Sequence, residues 1–141
     1  MPSVDIRTLS RPEPGIYRGP VLCRLAGISY RQMDYWARTG ILRPSVAEAQ
    51  GSGSQRLYSS GDLLLARAIH RLLDLGLSLH RIRDLVDPFP PGEVMGLREA
   101  IRRGRKRWTT APQGGAGIWL DLEELRRWLD DVETRFEPPA A

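Results

Sequence analysis

Tyr30, Arg31, Tyr35 and Arg38 lie at spacings that a helix gathers onto one side. Met33, Trp36 and Ala37 fall on the opposite side, where they can pack inward. Arginine presents a planar fork of donors that fits guanine edges and phosphate oxygens, and a tyrosine hydroxyl can bond a phosphate oxygen. That combination suits recognition of a nucleic acid. Asp34 stands on the same side and would repel phosphate unless it bonds Arg31 or Arg38, or accepts from a cytosine amino group. On helical spacing alone Tyr35 and Trp36 serve equally well as core aromatics.

Other reactive side chains are sparse. His70 and His80 have no carboxylate, serine or cysteine partner at a suggestive spacing, so neither catalysis nor a metal site is expected, and no cofactor. Cys23 is the single cysteine, which excludes an internal disulfide and disfavours thiolate-metal or redox sensing; it reads as a small buried hydrophobe. The 141 residues give room for one compact domain or a small one with an appendage, and 41% hydrophobic with 27% charged residues is the balance of a soluble globular protein. No apolar run could span a bilayer, and the first residues lack a signal-peptide centre, so a cytoplasmic location is expected. Net charge is +4, unevenly spread: residues 1–86 carry twelve Arg against seven acids, and residues 87–141 carry nine basic residues against ten acids. A basic excess on one part of a chain suits a polyanion.

The elements that must position these groups can be read from periodicity and stop signals. Residues 1–16, with three prolines and no apolar period, read as a flexible arm. From Pro20 to Gly27 a short helix is expected, with Val21, Leu22, Cys23 and Leu25 among its apolar positions. Ser29 caps a second helix that Gly40 closes, so the two form a helix-turn-helix candidate. Ile41, Leu42 and Pro44, the polar tip at 51–55 and the extended Arg56–Ser59 predict a hairpin wing. Ser59 or Ser60 caps a core helix with Leu64, Ala68, Leu72 and Leu75 inward, ended by Gly76. Ser78 caps a further helix with Leu79, Ile82, Leu85 and Val86 inward.

The run GISYRQMDYWARTGILRP, 27–44, resembles the recognition-helix signature of MerR regulators at Ser29, Met33, Tyr35, Trp36, Arg38, Gly40 and Leu42. QRLYSSGDLLLARAIHRLLDLGLSLHRIRDLV, 55–86, resembles that family's wing and following helix pair. The resemblance implies a mainly α fold with small β-hairpins: a winged helix-turn-helix over 17–87, then a small α/β C-terminal extension over 88–141. It further implies a sequence-specific binder of double-stranded DNA that regulates transcription as a homodimer, without enzymatic activity, and RNA polymerase as a partner. With the helix face, it nominates Ser29, Tyr30, Arg31, Tyr35, Arg38, Gln55, Arg56, Tyr58, Arg81 and Arg83 as DNA-contacting. Arg56 would meet phosphate from the wing, or else guard a strand edge. Arg81 and Arg83 would meet DNA, or else form the wet face of their helix.

The family pattern ends there, and the long coiled-coil helix by which many members dimerise is absent. Residues 93–106 predict a short amphipathic helix with a basic end, for which a solvated helix end or a second phosphate or RNA contact are both open readings. A hairpin over Trp108–Thr110 and Ile118–Leu120 follows, then a helix capped by Asp121 with Leu125, Trp128, Leu129, Val132 and Phe136 as its stripe. This glycine tip, strand and acidic-leucine helix start repeat the wing and core helix, as a second wing-like unit would. The stripe could face a partner helix or its own hairpin. Two rival functions stand beside the regulator: a protein-interaction adaptor without DNA binding, which Asp34 and the acidic tail favour, and an excisionase-type or architectural factor that bends DNA.

Overall fold

The computed structural model describes residues 15–47 and 56–135. In chain order they form β1 (Ile16–Arg18), α1 (Gly19–Ala26), α2 (Tyr30–Thr39), β2 (Leu57–Ser59), α3 (Ser60–Asp74), α4 (Leu79–Val86), α5 (Leu97–Arg102), β3 (Arg107–Thr109), β4 (Trp119–Asp121) and α6 (Leu122–Arg135). The architecture is mainly helical with two small antiparallel sheets. Among the described residues no helix is long and apolar enough to cross a membrane.

Local chemistry sets the boundaries of the first helix pair. Pro20 occupies the first turn of α1, and Gly27 adopts a left-handed φ of 79°, so that its N–H and that of Ile28 both reach the Cys23 carbonyl at 2.9 and 3.0 Å. Ser29 then opens α2 with a reciprocal cap. Its Oγ accepts from the Gln32 N–H at 3.0 Å, and its own N–H donates to Gln32 Oε1 at 2.9 Å. Gly40, left-handed at φ 81°, ends the helix.

The expected arm and wing need correction. Ile16 is not part of an arm but the first residue of β1, which pairs antiparallel with β2 in the register Ile16↔Ser59, Tyr17↔Tyr58 and Arg18↔Leu57. Three residues are too few to show an alternation in sequence. The wing's other side is a single bridge, Ala47↔Leu57, closed by Leu57 N–H to Ala47 O at 2.8 Å. The remaining arm residues and the 51–55 tip lie outside the described residues.

A buried carboxylate fastens this sheet to α3. Ser59 and Asp62 form a capping box, and Asp62 Oδ2 accepts from Ser59 N–H (2.9 Å), Ser45 N–H (2.8 Å) and Ser45 Oγ–H (2.7 Å). α3 is the central helix, with Leu63, Leu64, Leu65, Ala66, Ala68, Ile69 and Leu72 buried, because α1, α5 and α6 all pack on it. Leu75 departs from its expected inward place and is 54% exposed, since it lies one residue past the end of α3.

The extension follows the expected order with a shorter first helix. α5 begins only at Leu97, because Gly96 presses so closely on Val86 O and Pro88 that a Cβ would lie 2.7 and 2.6 Å from them. β3 and β4 pair as Arg107↔Asp121, Trp108↔Leu120 and Thr109↔Trp119, and buried Trp108 donates from Nε1 to Met95 O at 2.6 Å. Asp121 Oδ1 accepts from Glu124 N–H at 2.9 Å and so starts α6. The stripe of α6 turns toward α3 and β3, and one apolar cluster runs from Tyr17 to Leu129. Near its far end Glu133 Oε2 accepts from the hydroxyls of Tyr17 and Ser60, each at 2.5 Å. Phe136 lies outside the described residues.

Asp62 is 5% exposed and serves three donors, so Asp62→Ala should strand them and lower unfolding free energy by about 3 kcal/mol, against about 1 kcal/mol for Ser59→Ala. Urea denaturation followed by circular dichroism measures both. Equal small losses would show that the carboxylate does not hold the sheet to α3.

Candidate nucleic-acid interface

The two faces of α2 separate as their spacing predicts. Met33 and Trp36 are buried and Ala37 is half-buried, while Tyr30 (61%) and Tyr35 (46%) are exposed together with Arg31 and Arg38. α2 therefore offers two aromatics and two guanidiniums along one outer face. Ser29 adjoins this face, its hydroxyl oxygen occupied by the Gln32 cap.

Asp34 sits within the face and is paired on both sides. Its Oδ1 lies 2.9 Å from Arg56 Nη1, and its Oδ2 lies 2.9 Å from Arg38 Nε. The hydrogen bond from Arg56, foremost, and that from Arg38 hold its carboxyl below the usual carboxylate range. One acid thereby joins α2 to the residue that leads into β2. Arg56 is accordingly half-buried and pre-engaged rather than a free cation on a wing.

Tyr58 does not belong to any surface. It is fully buried opposite Tyr17, its hydroxyl has no hydrogen-bond partner, and burial pushes its ionisation up to about 12. It is a core residue, because the middle position of β2 pairs with buried Tyr17 and lies within the apolar cluster. Gln55 lies outside the described residues. Arg81 and Arg83 are exposed on α4, and Arg83 Nη2 donates to Thr39 O, the last carbonyl of α2, at 2.8 Å.

Two positioning residues were not evident from sequence. Arg98 on α5 chelates Asp87 and also donates from Nη2 to Ile41 O at 3.0 Å, just beyond α2. Arg67 on α3 donates from Nη1 to Ala26 O, the last carbonyl of α1, at 3.0 Å, while its guanidinium lies 5.2 Å from the centre of the Trp128 ring. The contacts to Ile41, Ala26 and Trp128 each span forty residues or more, and no local pattern announces them.

Comparison with known proteins bears on this arrangement. Residues 17–87 match the MerR HTH family of regulatory proteins. Over 71 residues the chain is 61% identical to an uncharacterised HTH-type transcriptional regulator of Mycobacterium tuberculosis, a stretch covering 50% of this chain and 32% of that protein. It is 31% identical over 62 residues to the heavy metal-dependent transcription regulator 1 of Rhizobium meliloti, covering 44% of this chain and 40% of that one. The matched stretch thus spans about a third of the mycobacterial relative's length. A crystal structure of a MerR-family transcriptional regulator from Bacillus cereus superposes with a TM-score of 0.45 at 18% identity, covering 85% of this chain and 71% of that one.

The Asp34 bridge has a pH dependence of defined sign. A carboxyl whose folded pKa is depressed holds its partners above its unfolded value, about 3.9, and releases them as pH falls through the folded value. At neutral pH, Asp34→Asn should mimic that release, quickening amide exchange at Arg56 and Leu57 while scarcely moving the urea midpoint, since solvent still reaches and screens these half-buried side chains. Exchange unchanged in the variant would show that the bridge does not restrain β2.

Proposed function

This chain belongs to the MerR family of HTH regulatory proteins, and from that premise we propose that it is a transcription regulator that binds double-stranded DNA sequence-specifically through α2. The observation that carries the proposal is the outer face of α2, where Tyr30, Arg31, Tyr35 and Arg38 stand exposed while Met33 and Trp36 anchor the helix from behind. Arg31, one residue inside the capped N-terminal end, reaches a base edge in the major groove. Tyr30, Tyr35 and Arg38 contact the flanking phosphates, joined by Arg81 and Arg83 from α4 and by Gln55, while Arg56 remains on Asp34 and neutralises it. Ser29 keeps the end of the helix ordered where it enters the groove.

The rival adaptor reading drew on the acid at position 34. Its pairing with Arg38 and Arg56 supports the DNA reading instead, because the repulsion of phosphate is already neutralised within the protein. In this proposal residues 17–87 form the reading unit and residues 88–141 the extension through which a homodimer assembles. The α6 stripe is largely taken up by α3, which leaves Phe89 and Trp119 as the exposed large apolar side chains of that extension among the described residues. RNA polymerase as a partner and a cytoplasmic setting belong to the same proposal.

Affinity for duplex should fall steeply as salt rises, because neutralised phosphates release condensed counterions. Arg31→Ala should lose about 1 to 3 kcal/mol on a selected site and less on random duplex, since a base contact, unlike a phosphate contact, discriminates. Fluorescence anisotropy with both duplexes across a salt series gives both results. Absence of binding at low salt would favour the adaptor, and equal losses on both duplexes would reassign Arg31 to the backbone. Sedimentation of the full chain should find a dimer at concentrations that saturate DNA.

A further inference from the structure

The second half of the chain repeats the order of the first. α2 ends at left-handed Gly40, is followed by the segment that bridges at Ala47 and then by β2, and β2 runs straight into capped α3. α5 ends at Arg102, is capped by Arg103 and left-handed Gly104, is followed by β3 and β4, and β4 runs straight into α6, capped by Asp121. The two long helices α3 and α6 pack on each other. In this repeated order α5 and its exit segment stand where α2 and its exit stand in the first half.

That exit segment is almost purely cationic. Arg102, Arg103, Arg105, Lys106 and Arg107 are all exposed, with Gly104 the one residue among them that lacks a charge. Glu99 takes up Arg102 and Arg103 at 2.8 and 2.7 Å. Among the described residues no carboxylate lies within ion-pairing distance of Arg105, Lys106 or Arg107. Asp121 is opposite Arg107 in the hairpin, but its Oδ1 is engaged by the Glu124 N–H.

The backbone beneath these side chains is tied down. Arg126 donates to the carbonyls of Arg105 and Ile101, and the N–H groups of Leu122 and Glu123 donate to Lys106 O at 2.9 and 3.2 Å. The segment therefore holds its inner side by hydrogen bonds and presents a row of cations outward. It begins close to α2, because Arg98, one helical turn before Arg102, reaches Ile41 O at 3.0 Å.

We propose that Arg105, Lys106 and Arg107 form a second DNA contact, to sugar-phosphate backbone outside the stretch covered by α2. The proposal rests on the DNA-binding reading of α2. A protein partner would want apolar side chains at the centre of such a patch; the row itself has none, with exposed Trp119 only at its margin on the same hairpin, whereas phosphate contact needs only charge held in register. The segment then extends the footprint without reading bases.

The test compares the full chain with Arg105→Gln/Lys106→Gln/Arg107→Gln on a fluorescein-labelled mixed-sequence duplex of roughly 30 base pairs across a salt series. The triple variant should lose about tenfold or more in affinity near 0.1 M salt, with a salt slope shallower by about two to three. Arg71→Gln/Arg127→Gln/Arg135→Gln removes the same charge from exposed positions on α3 and α6 and should change the slope by less than about one. Near-ultraviolet circular dichroism of the four tryptophans checks the fold, and Lys106→Glu alone gives a shift of the same sign without a triple change. Unchanged binding by the first triple, or equal losses in both, would overturn the proposal and leave the row to solvent or to an acidic protein. Failure of the unmodified chain to bind would overturn the DNA reading itself, so the two failures are told apart.

Discussion

The exposed outer face of α2 depends on three guanidiniums that come from elsewhere in the chain. α1 and α2 are eight and ten residues long, too short to persist alone, and each ends with carbonyls that no helical N–H can reach. Arg67 from α3 supplies a donor to the end of α1, Arg83 from α4 to the end of α2, and Arg98 from α5 to Ile41 just beyond. A cation at a helix C-terminus also opposes the partial negative charge gathered there. The helix pair thus takes its geometry from α3, α4 and α5, and the orientation of Arg31 and Tyr35 inherits the rigidity of a core to which neither contributes.

The extension enters the same scheme through α6. Trp128 lies beneath the guanidinium that caps α1, and Glu133 gathers the hydroxyls of Tyr17 on β1 and Ser60 at the start of α3. Burial, and then the bond to Glu133, push the Tyr17 phenol well above its ordinary ionisation, so it remains a neutral donor. The first strand, the central helix and the last helix therefore meet at one carboxylate. The helix that the sequence offers equally to a partner or to its own hairpin spends much of its apolar stripe on this internal contact.

What could be read from sequence was what is decided within one or two turns. The faces of α2 follow from a period of 3.6, and the caps at Ser29, Ser59, Ser78 and Asp121 from side chains that reach three residues ahead. β1 was invisible because three residues carry no period, and its partner lies some forty residues on. Tyr58 was assigned to the surface by its place in the wing, yet the cross-strand pairing with Tyr17 decides its burial. Asp34 was recognised as a misfit needing a partner. That Arg56 shares it with Arg38 depends on how the chain returns after the wing, which no local rule contains.

Gly96, at the start of α5, lies close against the end of α4, with a bare hydrogen where any other residue would place a carbon against Val86 O and Pro88. Two residues further on, Arg98 holds the chain where it leaves α2. A single methyl group at position 96 would lever α5 outward and carry that grip away from Ile41. The placement of α2 is thus sensitive to a joint more than fifty residues along the chain from it, and to an atom that is not there.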